Sequence, residues 1–157
     1  MPWNVDLFSA ETACDLAHVL LLVEDRLPAA LAGRIRAEIR TRVMDPYLEH
    51  AREYWWDSGR NNWTGVCAGA VGQTFLLLEP DAGRQAQAVS LVLDQMDRFL
   101  AKAFEEDGAC LEGIGYWNYG LLHCVSFGEM LHAKTNGAVD LLAHPKKILG
   151  LIQEEMD

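Results

Sequence analysis

From Ser9 to about Leu27 the chain is dominated by apolar residues and holds no glycine, which predicts a first helix. Pro28 suits the first turn of a second helix. There Leu31, Ile35, Ile39 and Val43 recur at helical spacing, and Arg34, Arg36, Arg40 and Arg42 fall mostly on other faces. Pro46 is expected to bend or end that helix, and the aromatic stretch EYWWDSGRNNW follows. A third helix begins near Asn62 or Trp63, carries Val66, Ala70, Val71, Phe75 and Leu78 on one face, and stops at Pro80. Asp81 caps a fourth, whose core face is Val89, Val92, Leu93, Met96, Phe99, Leu100 and Ala103. The glycine-rich stretch DGACLEGIGYWNYG then interrupts the pattern. A fifth helix runs from about Gly115 to Ala133 and ends in KTNG, with Gly137 or Asn136 as its cap. A short sixth covers Pro145 to Met156.

No β-type alternation competes with these helices. The expected fold is all-α, a single domain over residues 1–157 built from antiparallel helical hairpins. In such an array every second loop falls at the same end. The loop before the third helix (Arg52 to Trp63) and the loop before the fifth (Glu105 to Gly115) should therefore face each other across one cleft.

Composition narrows the function classes. Half of the residues are apolar (50%), which argues against disorder. The net charge of -10 argues against nucleic acid, because binding phosphates needs clustered Lys and Arg. The longest apolar run, Ala17 to Val23, is too short to span a bilayer, and no membrane partner is expected. The segment before it has acids but no Lys or Arg, so no secretory signal is read. A cytoplasmic location is the expectation, or a periplasmic one for a fragment of a longer chain. Cys14, Cys67, Cys110 and Cys124 form no CxxC and read as thiols of a reducing compartment.

Taken together, RNNWTGVCAGAVG, then EPD, then DGACLEGIGYWNYG resemble the heparinase II/III-like polysaccharide lyases. The resemblance runs roughly from Trp55 to the C-terminus and implies part of a catalytic (α/α) toroid. In that family a β-sandwich follows the toroid and a later histidine joins catalysis. This sequence has no β-rich region and no counterpart of that histidine, so part of a toroid is expected, incomplete as a lyase alone.

The family reaction is β-elimination on a uronic-acid sugar, which requires a neutralised carboxylate, a base, and an acid for the leaving oxygen. The resemblance implies Asn61 or Asn62 as carboxylate neutraliser and Tyr116 as general acid or base. Tyr119, three residues on, shares a helical face with Tyr116 and is the second choice. Glu112 would orient an Asn or hold a sugar hydroxyl. Trp55, Trp56, Trp63 and Trp117 would stack on sugar rings, and Arg52 or Arg60 would hold a second carboxylate. The implied partner is an acidic polysaccharide or oligosaccharide, with no cofactor and no metal.

Each residue also has a plainer reading. Asn62 is a natural N-cap, Tyr116 a natural core tyrosine, and Gly113 and Gly115 suit a tight turn. The tryptophans could simply pack between helices. His18, His50, His123 and Cys124 lack a second ligand pair and read as packing residues. Glu105, Glu106 and Asp107 read as a solvated acidic turn. An Asp107–Glu112 carboxylate pair would instead suit a glycoside hydrolase of the same architecture. A partial toroid leaves apolar faces uncovered, which favours a homo-oligomer, and a silent binding module fits that as well.

Overall fold

The computed structural model describes residues 4–105, 108–110 and 112–142, and these are helical with no β-strand among them. Helix α1 spans Leu7–Val23, α2 Ala29–Ile39, α3 Asp45–His50, α4 Asn62–Leu78, α5 Ala82–Lys102 and α6 Ile114–Lys134. The expected Pro145 to Met156 helix lies outside the described residues.

Helix α1 starts two residues earlier than its apolar pattern suggests, because Asp6 caps it. The Ser9 amide donates to Asp6 Oδ1 at 2.8 Å, and the Asp6 amide donates to Ser9 Oγ at 2.9 Å. Pro28 stands just before α2 as its N-cap rather than inside its first turn. Pro46 does not end the second helix. A wide turn over Arg40–Met44, in which the Asp45 amide reaches back to the Arg40 carbonyl, joins α2 to α3, and the chain stays helical to His50. The widened turn precedes the position where the proline ring would crowd the preceding turn.

The centre of the molecule is α4. The sequence suggests one buried face, but every residue from Thr64 to Leu76 is buried, because α1, α5 and α6 all pack around it. Two of its buried polar side chains are satisfied within the helix: Gln73 Nε2 donates to the Gly69 carbonyl and Thr74 Oγ1 to the Ala70 carbonyl. Small residues let α6 approach closely. A methyl group at Gly69 would lie 2.6 Å from the His123 carbonyl oxygen, and one at Gly65 would lie 2.7 Å from that of Gly120.

Helix α5 buries the face its pattern indicates, with Asp81 accepting from the Arg84 amide at 2.8 Å as its cap. Helix α6 closes as expected, with Asn136 and Gly137 at positive φ and the Gly137 amide bonded to the His132 carbonyl. Cys14, Cys67 and Cys124 are buried free thiols and Cys110 is partly exposed. Burial, with Asp15 and Glu11 adding to it, pushes the Cys14 thiol up to about 12; burial followed by Asp97 does the same to Cys124. No helix among the described residues is long and apolar enough to cross a membrane.

Candidate functional site

The aromatic loop is held to the scaffold by α5. Arg98 donates to Asp57 Oδ1 at 2.6 Å and to the Asp57 carbonyl at 3.1 Å. Gln95, fully buried, donates to the same carboxylate at 2.7 Å and accepts the Tyr47 hydroxyl at 2.6 Å. Gly59, at φ 78°, turns the chain where any side chain would strike the Arg98 backbone. These contacts deliver residues 60–63 to the head of α4.

The glycine-rich loop meets it there, as the alternation of loops along the chain suggests. Glu112 Oε2 accepts the Asn62 backbone N–H at 2.7 Å, so the second loop caps the helix that the first loop starts. Gly120, one turn and more into α6, lies so close that an added methyl would sit 3.4 Å from the Asn62 Cα and Cβ. The head of α1 lies at the same end, since Trp56 Nε1 donates to the Val5 carbonyl at 2.8 Å. Three helix N-termini, with their positive dipole ends, therefore share one end of the bundle.

Asn61, rather than Asn62, occupies the N-cap position of α4, and its side chain makes no capping bond. Asn62 is the first helical residue and is only 2% exposed. Its Nδ2 and the Asn61 Oδ1 are buried without a hydrogen-bond partner among the described residues. A buried donor left unpaired costs about 1–3 kcal/mol, so this corner is polar at a cost to stability.

The tyrosines differ in setting. Tyr116 is 53% exposed. Tyr119 is half-buried and donates to Glu11 Oε2 at 2.6 Å, a contact between α6 and α1. His123, one turn further along α6, places Nε2 3.3 Å from the other oxygen of Glu11. Burial, then the hydrogen bond to Glu11 and its charge, hold the Tyr119 phenol above its ordinary range. In the sequence Glu11 carries no mark of a role and His123 reads as a packing residue. The i, i+4 spacing of Tyr119 and His123 was a usable signal, whereas nothing local in the sequence links Glu11 to them.

The remaining residues separate clearly. Trp56 is fully buried, stacked on Tyr54 with ring centroids 5.0 Å apart and its N–H bonded, which leaves no ring face for a sugar. Trp55 is exposed and lies 4.8 Å from Trp63, which is half-buried against the core, as is Trp117. Arg60 is exposed, and Arg52 is engaged by Asp57 and Asp94. Glu112 is exposed and is committed by one oxygen to the Asn62 amide. Asp107, the suggested partner of Glu112 in a hydrolase pair, lies outside the described residues, as does Glu106 of the acidic turn. Among the described residues no group of three or more His, Cys, Asp or Glu side chains is placed to hold a metal.

No family model and no curated protein matches the chain.

Proposed function

We propose that the end of the bundle shared by the heads of α1, α4 and α6 is a lyase-type site that takes the uronate unit of an acidic polysaccharide. The observation that carries the reading is Asn62, an amide donor without a partner among the described residues, buried at a helix N-terminus and bridged by Glu112 to the loop that leads into the tyrosine-bearing helix α6. An amide donor and a positive helix end are what a carboxylate turning into an enolate requires. One of the two tyrosines of α6 would handle the proton. The Trp55–Trp63 pair offers an exposed aromatic face for a sugar ring.

The test is ultraviolet absorbance from unsaturated uronate across a panel of uronate polysaccharides. Wild-type signal that falls by about 100-fold or more in Asn62→Ala is the expected result, in line with the loss of an oxyanion donor. Reducing ends without the absorbance would replace the lyase reading by a hydrolase. A second reading, a silent carbohydrate-binding module, draws on the same aromatic pair; it predicts a ligand-dependent rise in melting temperature and no product. Under either reading, exposed Phe8, Leu21 and Leu22 on α1 favour association with another copy of the chain.

A further inference from the structure

At the proposed site, Tyr116 and Tyr119 are one helical turn apart on α6 and both carry a phenol, so spacing does not choose between them. Their surroundings do. Tyr116 stands out into solvent, while Tyr119 is held at 2.6 Å by a carboxylate from a different helix. The Glu11 side chain is 29% exposed and that of His123 15%, so the group is partly desolvated and still open to the surface. The two oxygens of Glu11 are divided between the phenol and the imidazole, which fixes the carboxylate plane as well as its position. The rings of Tyr119 and His123 meet edge to face, with centroids 5.9 Å apart. Cys67 of α4 and Cys14 of α1, both close enough to feel the charge of Glu11, are buried thiols held in the neutral form, and Asp15, four residues on, lies on the same face of α1.

We infer that Tyr119 is the tyrosine that moves the proton at this site, and that Glu11, held by His123, is its positioning residue. The inference rests on the lyase reading and adds to it a carboxylate outside the stretch that carries the resemblance. The phenol is neutral at rest, because ionising it would set two negative charges side by side. As Tyr119 Oη takes the proton from the carbon beside the uronate carboxylate, its own proton passes to Glu11. The electron pair of the broken C–H bond forms the new C=C bond, and the bond to the leaving glycosidic oxygen breaks. That oxygen takes the proton from Tyr119, and Glu11 returns its proton to the phenol oxygen. Substrate becomes an unsaturated uronate and a free sugar hydroxyl, and the protein ends as it began.

The experiment compares wild type, Glu11→Gln, Tyr119→Phe and Tyr116→Phe in the unsaturated-uronate assay, after matched melting curves show each folded. Glu11→Gln and Tyr119→Phe are expected to lose about 100-fold or more in kcat with KM little changed, the size and pattern of a lost proton-transfer group. Tyr116→Phe is expected to keep its rate within about tenfold. In parallel, carbon resonances of labelled tyrosine, assigned with Tyr119→Phe, should show the Tyr119 phenol ionising at lower pH once Glu11 is Gln. An active wild type indifferent to Glu11→Gln, or one silenced by Tyr116→Phe instead, overturns the assignment and leaves the lyase reading standing. A wild type silent on every polymer, with no binding, removes the lyase reading and this assignment with it.

Discussion

Asn62 and Trp56 lie six residues apart in one stretch, are both buried, and have opposite characters. Trp56 has every polar need met: its N–H reaches the Val5 carbonyl and its ring stacks on Tyr54. Asn62 has a backbone amide capped by Glu112 and a side-chain amide with no partner among the described residues. A residue kept only for packing would be apolar there, or bonded. Removing the side chain should therefore cost the fold little. Asn62→Ala is expected to unfold in urea within about 1 kcal/mol of wild type, or above it, since the lost donor contributes only a desolvation penalty. A loss of several kcal/mol would mean that the amide bonds to something that holds the fold together. At this scale the sequence marked Asn61, Asn62, Tyr116 and Tyr119 as chemistry-bearing, but Trp56 and Trp63 looked alike. What separates them is burial, which depends on the partner segments around residues 4–5.

The elements follow local pattern closely wherever a cap or a breaker speaks. Asp81, Pro80 and the Asn136–Gly137 pair act at the positions their chemistry indicates. Departures occur where tertiary packing outweighs local rules. Helix α4 has no polar face because three helices cover it, and Pro46 is absorbed by the wide turn before it. The α4–α6 contact gives a paired prediction. Gly69→Ala would force a methyl into the His123 backbone and should destabilise by about 1–3 kcal/mol, as overpacking does. Gly33→Ala, in the exposed middle of α2 with nothing within 4 Å, should stabilise by about 0.5–1 kcal/mol. Denaturant midpoints of the two variants check both signs; equal effects would mean that helix propensity, not the close approach, governs α4.

Across the whole molecule, one carboxylate ties distant elements together. Glu79, at the end of α4, has a side chain 1% exposed and meets Arg84 of α5 at 3.0 Å and Arg40 of the wide turn at 3.3 Å. Arg84 continues to Asp45 of α3. Burial alone would raise the Glu79 carboxyl, but the Arg84 hydrogen bond, the Asp81 amide and the charge of Arg40 outweigh it and hold it below its ordinary value of 4.5. With the folded value depressed, the stabilisation is fully present above the unfolded value and is lost as pH falls through the folded one. Stability measured from neutral to acid pH should therefore decline, and Glu79→Gln should flatten that decline. The variant should also lose about 1–3 kcal/mol at neutral pH, the scale of hydrogen bonds to charged groups. An acid limb unchanged by the substitution would place the sensitive carboxylate elsewhere.

The sequence by itself determined the helical class, the helix ends at Pro80, Asp81 and the Asn136–Gly137 pair, and the meeting of the two unusual loops at one end of the bundle. These are local matters: periodicity, capping chemistry and the parity of hairpins depend on near neighbours along the chain. Only the tertiary structure decided which tryptophan is core, why α4 is buried all round, and that Glu11 faces Tyr119 and His123. The segments that meet in that last contact are more than a hundred residues apart. Nothing in either segment signals the other, because the contact exists only once α1 and α6 have both packed against α4.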